Sequence, residues 1–247
     1  MARYWLEFRL LFAVQMLEER VMWTLTLFFT TFFPLFMVFG FGAVGSGQTR
    51  DGLLYVITGS TVVSLVTVGI TRVSQQLSWM KQQGVFLYYA SLPISKISLL
   101  LAVMASRLIL QLPGIVVALL GGTLLYGFHI SPNPLLLVIL PLTALALSGG
   151  GAAIGLALPS PQLVNLVSQV AIILVLFGAP VLIPLDHLPL PLQWFGLLLP
   201  PTYAADALRR ALAGVSDAHL ALDIGVLALF AAGSLAVVTR GLEWRLR

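Results

Sequence analysis

The chain has 247 residues, 59% of them hydrophobic and 9% charged, with a mean hydropathy of +1.02 and a formal net charge of +4. A soluble domain carries about 25% charged residues, and a globule this apolar lacks the polar groups to cover its own surface, so lipid must be the solvent for much of it. No Asp, Glu, Lys or Arg occurs between Leu108 and Leu185, which excludes a soluble fold, and the absence of cysteine excludes a disulfide framework, a thiolate nucleophile and a Cys metal site. The cationic excess reads as the Lys/Arg bias of cytoplasmic loops and not as a nucleic-acid footprint.

The first twenty residues do not read as a cleavable signal peptide, because Glu7, Arg9, Glu18, Glu19 and Arg20 interrupt any apolar core. Arg3 to Arg20 instead reads as a loosely amphipathic helix. Trp5, Phe8, Phe12 and Met16 share one face, and Arg3, Glu7 and Glu18 lie roughly opposite, a pattern expected to lie in the cytoplasmic interface. Six stretches are long and apolar enough to span: 21–44, 52–77, 98–126, 134–158, 163–185 and 219–239.

The breaks between them are chemically sensible. Gly45-Ser46-Gly47-Gln48 with Arg50-Asp51 closes the first span, Ser131-Pro132-Asn133-Pro134 the third, and Pro159-Ser160-Pro161 the fourth. Residues 78–96, polar at first, then aromatic, then closed by Leu92-Pro93, are too long for a tight turn and too polar to span. Residues 186–217 hold an apolar run, Leu190–Leu199, that is too short to cross, is broken by Pro189, Pro191, Pro200 and Pro201, and precedes a helical pattern from Tyr203 to Leu212. Such a segment reads as re-entrant or interfacial. In the fourth span Gly149, Gly150, Gly151 and Gly155 form a small-residue patch, and the Gly151/Gly155 pair suits close approach of another helix. The fold class is therefore all-α integral membrane, one domain over 1–247. Loop charge puts Arg3, Arg9, Arg20, Arg72, Lys81, Lys96, Arg240, Arg245 and Arg247 on one side, so both termini are expected in the cytoplasm.

The chemistry that is missing is informative. There is no phosphate loop and no HExxH, and His129, His187 and His219 lie apart, so no catalytic residue and no metal site are expected. Ser148-Gly149 lacks the order of a nucleophile elbow. The cores of the first five spans contain no carboxylate to bind a coupling ion, and Asp223 lies near the outer end of the sixth. Arg107 is the one deep cation, expected to snorkel or to pair inside the bundle. A source of energy other than an ion gradient is expected.

The segment Gly84-Val-Phe-Leu-Tyr-Tyr-Ala-Ser-Leu-Pro93-Ile-Ser-Lys resembles the coupling-helix segment of ABC-2 type transporter permeases. Gln82 stands where that family often carries Glu, a departure bearing on any ion pair with a partner. Pro180-Val-Leu-Ile-Pro184, Leu188-Pro189 and Leu199-Pro-Pro-Thr-Tyr203-Ala-Ala-Asp206-Ala-Leu-Arg209 resemble the family's outer re-entrant hairpin.

The resemblance implies a membrane subunit of an ATP-driven exporter in a bacterial or archaeal cytoplasmic membrane, not catalytic itself. Two copies of an ABC ATP-binding subunit would bind the ATP and Mg, and the chain would hold no cofactor. A second copy, or a homologous permease, would complete the pathway across the first and fifth spans. Lys81, Gln82, Gln83, Gly84, Leu87, Tyr88, Leu92 and Pro93 would couple to the ATPase, and Trp194, Phe195, Pro201, Tyr203, Asp206 and Arg209 would form the outer gate. Apolar spans with few polar lining candidates, such as Asn165 and Gln169, suit an amphipathic, lipid-like or drug-like substrate. A stand-alone carrier or channel, or an intramembrane enzyme, are the alternatives.

Overall fold

The computed structural model describes residues 2–20, 23–43, 50–92, 94–126, 133–182 and 189–241. They form helices α1 (Ala2–Glu19), α2 (Trp23–Ala43), α3 (Arg50–Val66), α4 (Val73–Gln82), α5 (Val85–Ser91), α6 (Lys96–Tyr126), α7 (Leu136–Ala157), α8 (Pro161–Gly178), α9 (Leu190–Leu197), α10 (Pro200–Leu212) and α11 (Ala218–Gly241). A π-helical turn, Thr67–Arg72, joins α3 to α4 without a break in helical backbone. Among the described residues, six helical stretches are long and apolar enough to cross a membrane: Trp23–Gly40, Leu54–Gln82, Lys96–Gly121, Leu136–Ala157, Pro161–Gly178 and Ala218–Arg240.

Two of these departures from the sequence pattern have local causes. The second spanning stretch does not stop at residue 77 but runs to Gln82, because Gln75 and Gln76 meet partners on neighbouring helices and need not turn to water. The fifth ends at Gly178, short of 185. Pro180 disfavours helical geometry at the residue before it, and Ala179 is extended at φ −103°, ψ 141°. Residues 183–185 lie outside the described residues.

The second spanning helix is the central one. Of its most apolar stretch 67% is buried, against 17% for that of α11. Burial divides the bundle lengthwise. One apolar core gathers Val62, Val66, Ile139, Leu147, Leu208 and Leu227 from α3, α7, α10 and α11. A second gathers Leu11, Leu77, Phe86, Leu99, Val103 and Val238 from α1, α4, α5, α6 and α11, and a small third one Val38, Val56 and Ile57 from α2 and α3.

The seam between α7 and the second span is set by glycine. A Cβ on Gly151 would overlap the Gly69 carbonyl, and one on Gly155 the Ser74 carbonyl, so the two backbones touch. The GxxxG pair is thus used inside one chain. Gly69 lies in the π turn itself.

Helix α1 lies along α6, but not by the face its aromatic residues mark. Trp5 is exposed and Phe8, Phe12 and Met16 are half-buried, while Glu7, Leu11 and Gln15 turn inward. The reason is that α1 meets a polar surface. The Glu7 carboxylate accepts from the Ser95 N–H at 3.1 Å, and Gln15 accepts from Gln76.

Candidate functional site

The α4–α5 corner is built by one residue with left-handed backbone. Gly84 sits at φ 69°, a conformation that costs other residues a Cβ clash, and it reverses the chain between two helices. The short α5 then anchors itself through Phe86 and Tyr89, which are buried among Leu77, Leu99 and Leu100. Among the described residues nothing covers its other side: Leu87 and Tyr88 of α5, with Gln82, Gln83 and Leu92 flanking it, are all exposed, Tyr88 by 65%. Burial and the nearby Glu18 charge push the Tyr89 phenol up, so it stays neutral. Pro93 lies outside the described residues.

Lys81, unlike its exposed neighbours, turns its side chain to the bundle. Its ammonium donates to the carbonyls of Leu156 at 2.8 Å and Leu158 at 3.4 Å, capping the end of α7. The corner is thereby tied to the α7–α8 turn, where Ser160 accepts from the Leu163 N–H and Pro161 starts α8.

Behind the corner runs a buried polar belt. Arg107 of α6 donates from Nε and Nη2 to the Gln76 side-chain oxygen at 3.1 and 2.8 Å, and its Nη1 pairs with Glu19 of α1. Gln76 in turn donates to Gln15. The arginine pairs inside the bundle, and the belt ties α1, α4 and α6 together. Burial raises the neighbouring Glu18 carboxyl above its ordinary range, a shift opposed by Arg107.

A second polar feature faces outward. Gln162, Asn165 and Gln169 recur at i, i+3 and i+7 on one exposed face of α8, and Asn165 accepts from Gln75 of α4 at 2.9 Å. Arg72 and Trp79 are exposed on the same face of the second span as Gln75. Below this surface Ser74 and Ser168 share a buried hydrogen bond of 3.0 Å. On α2 a stack of Phe28, Phe32 and Phe36, with ring centroids 5.3 and 6.1 Å apart, is likewise exposed.

At the other end, α9 and α10 form a pair of short helices. Pro200 and Pro201 start α10, and Gly214 at φ 71° ends it. The Thr202 hydroxyl donates to the Gly196 carbonyl and the Tyr203 hydroxyl to the Leu197 carbonyl at 2.7 Å, so α10 holds α9. Phe195 packs against Gly178, while Trp194 is 69% exposed.

Arg209 is the half-buried pin of this end. It donates to Thr58 at 3.2 Å and to the carbonyls of Pro180 and Val181 at 3.0 and 2.6 Å, and its guanidinium lies 3.8 Å from the Tyr55 ring centroid. Burial lowers its pKa, and the carbonyls freed where α8 breaks satisfy its charge. Arg210 instead faces Asp206 at 3.0 Å, Asp217 at 2.6 Å and the buried Asp223 at 3.9 Å.

A helical membrane bundle with an exposed α4–α5 corner at one end and a proline-started helix pair at the other is the setting for one comparison. The family model described as ABC-2 type transporter matches residues 7–213. The chain belongs to the ABC-2 type transporter family. The matched ABC-2 region runs from within α1 to the end of α10, covering both the corner and the Arg209 pin. Nodulation protein J of Rhizobium leguminosarum bv. viciae is 30% identical over 137 residues, 54% of this chain and 49% of that relative. The ABC-2 chain thus spans about half the length of the curated relative it matches. With six helices long and apolar enough to cross a membrane, it is a multi-pass membrane protein of that family.

Gln75, Gln76, Gln15 and Gln162 are not marked by sequence patterns alone, and Glu19 and Arg72 are marked only as charges. Their signal is weak but present: paired amides interrupt an apolar helix in one case, and three amides repeat at helical spacing in the other.

Proposed function

We propose that this chain is the permease subunit of an ATP-driven exporter, and that a separate ABC ATP-binding subunit docks on the α4–α5 corner. The observation carrying this reading is the split face of α5. Phe86 and Tyr89 fix the helix to the bundle, while Gln82, Gln83, Leu87, Tyr88 and Leu92 stay exposed beside it. A seven-residue helix with a rigid inner face and an apolar outer one suits a partner groove. Lys81 and the Arg107 belt would carry movement of that corner into α7, α1 and α6.

The exposed amides of α8 support a pathway shared with a second copy or a homologous permease. Amides facing hydrocarbon are costly, so Gln162, Asn165 and Gln169 fit a protein-lined or wetted seam. Amides beside Arg72 and Trp79, with the apolar Val170, Ile173 and Phe177 further along α8, suit an amphipathic, lipid-like or drug-like substrate moving outward. On this reading both termini and α1 lie at the cytoplasmic side of a bacterial or archaeal membrane. The α9–α10 pair, with Trp194, Phe195, Pro201, Tyr203, Asp206 and Arg209, forms an outer re-entrant gate. ATP and Mg belong to the partner.

The test is an affinity pull-down from the native membrane in mild detergent, after crosslinking, read by mass spectrometry. An ABC ATPase recovered at about one copy per chain supports the reading. A clean eluate despite crosslinking moves the reading to a stand-alone carrier.

A further inference from the structure

Along the flank of α6, away from the amide stripe, lies a trough that none of the described residues fills. A cavity of about 760 Å³ opens between α1 and the start of α6, lined by Trp5, Phe8, Ser95, Ile97, Ser98 and Leu101. A second, of about 210 Å³, lies between α6, α7 and α11 and is lined by Leu101, Met104, Leu145, Ala232 and Leu235. Leu101 borders both, which sets them side by side along α6, and together they make up the trough. From Ser95 to Met104 at 1.5 Å per residue it runs about 14 Å along α6. It stays open because α11 packs mainly on α7 and α10 and presents small residues, Ala231, Ala232 and Ser234, toward this side.

The trough is graded. Its deep end is wholly apolar apart from Ser234. Its mouth carries the Ser95 and Ser98 hydroxyls, 2.7 Å apart, and the exposed rings of Tyr4 and Trp5. Arg9 of α1 is exposed one turn from Trp5, and Lys96 stands between Ser95 and Ile97 at the head of α6. Among the described residues, the nearby carboxylate Glu7 is turned to the inner side of α1 and accepts from the Ser95 N–H. Amphipathic aromatic rings settle at headgroup level, and basic residues there attract anionic headgroups.

We infer that this trough is a phospholipid site, taking one acyl chain past Leu101 and an anionic headgroup between Arg9 and Lys96. The occupant is a lipid of the surrounding bilayer. Its place on the α1–α6–α11 flank makes it a clamp between α1 and the bundle, independent of ATPase docking.

The full chain, delipidated in detergent and offered equimolar phosphatidylglycerol and phosphatidylcholine, is weighed by native mass spectrometry. One phosphatidylglycerol is retained per chain, preferred over phosphatidylcholine by at least about fivefold. Leu101→Trp, which plugs the junction, lowers the retained fraction about tenfold, whereas Leu137→Trp, on a face of α7 that is 80% exposed, keeps it. Arg9→Gln with Lys96→Gln, at the surface, brings the headgroup preference toward one, and this arm stands even if Leu101→Trp fails to fold. Equal retention of both lipids by the unmodified chain overturns the anionic assignment, and unchanged retention in Leu101→Trp overturns the site. Interchain disulfide formation by Ile97→Cys, in a sequence without cysteine, would mean that a second copy fills the trough and would also overturn it.

Discussion

Arg107 of α6 is paired with Glu19 of α1 in a nearly dry setting, with side chains 10% and 18% exposed. Breaking one member of such a pair leaves the other charge without compensation, which costs more than the pair itself contributes. Arg107→Ala should therefore destabilise by about 3 kcal/mol, and adding Glu19→Gln should recover part of it. Thermal unfolding of both single variants and the double in detergent closes the cycle. Strictly additive losses would show that the pair is not coupled.

Helix α7 contains its own control for the glycine seam. Gly151→Ala and Gly155→Ala push a methyl into the Gly69 and Ser74 carbonyls, whereas a Cβ on Gly150 has nothing within 4 Å. The first two should cost about 1–3 kcal/mol each, while Gly150→Ala should be neutral or stabilising, since it removes a helical glycine. Equal melting shifts for all three would refute backbone contact at this seam.

At the α4–α5 corner, Leu87→Asp and Phe86→Ala separate docking from folding. Leu87 is 48% exposed and Phe86 is buried. The aspartate variant should keep its melting temperature and lose co-purifying ATPase, because it places a charge in an apolar contact. The alanine variant should lose about 3 kcal/mol of stability through the cavity it leaves. ATPase recovery undiminished in Leu87→Asp would remove the corner as the docking site.

Arg209 holds Thr58, two carbonyls and a tyrosine face at once. Arg209→Ala should leave ATPase docking intact and abolish most transport, and Arg209→Lys should not rescue it, since an ammonium lacks both the fork and the stacking plane. Rescue by lysine would reduce the requirement to positive charge.

Asp217 accepts from the Leu220 N–H at 3.0 Å, and that bond, with Arg210 beside it, holds its carboxyl below the usual range. A depressed folded-state pKa adds stability at neutral pH that is lost as pH falls through the folded value. The first turn of α11 should thus lose amide protection in acid. Asp217→Ala should show low protection of Leu220 at neutral pH and little further change on acidification. A pH-dependent loss that persists in the alanine variant would assign it elsewhere.

The six spans were legible because hydropathy over 20 residues is a local property and proline marks its ends. The chain breaks at Pro134 and Ser160-Pro161 fall within a few residues of the helix ends. The end of the fifth helix was signalled by Pro180, but the apolar residues beyond it masked the signal. The rotation of α1 was not legible, because Glu7 and Gln15 turn inward only once Ser95 and Gln76 are in place. Lys81 looked like its neighbours in the corner, and only the position of α7, 75 residues away, gives its ammonium two carbonyls. The outward amides of α8 carried a periodic signal, yet nothing local says that Gln75 comes to meet them.

The π turn at Thr67–Arg72 fixes an angular phase. An α-helix advances about 100° per residue, and a π turn takes up roughly one residue more than an α turn. The end of this helix bearing Thr58, which receives Arg209, and the end bearing Gln75 and Gln76, which meet Asn165 and Arg107, are therefore clocked against each other by the length of six residues. Dropping one residue there would swing one end by about a quarter turn relative to the other. What this segment must preserve is its count, more than its composition.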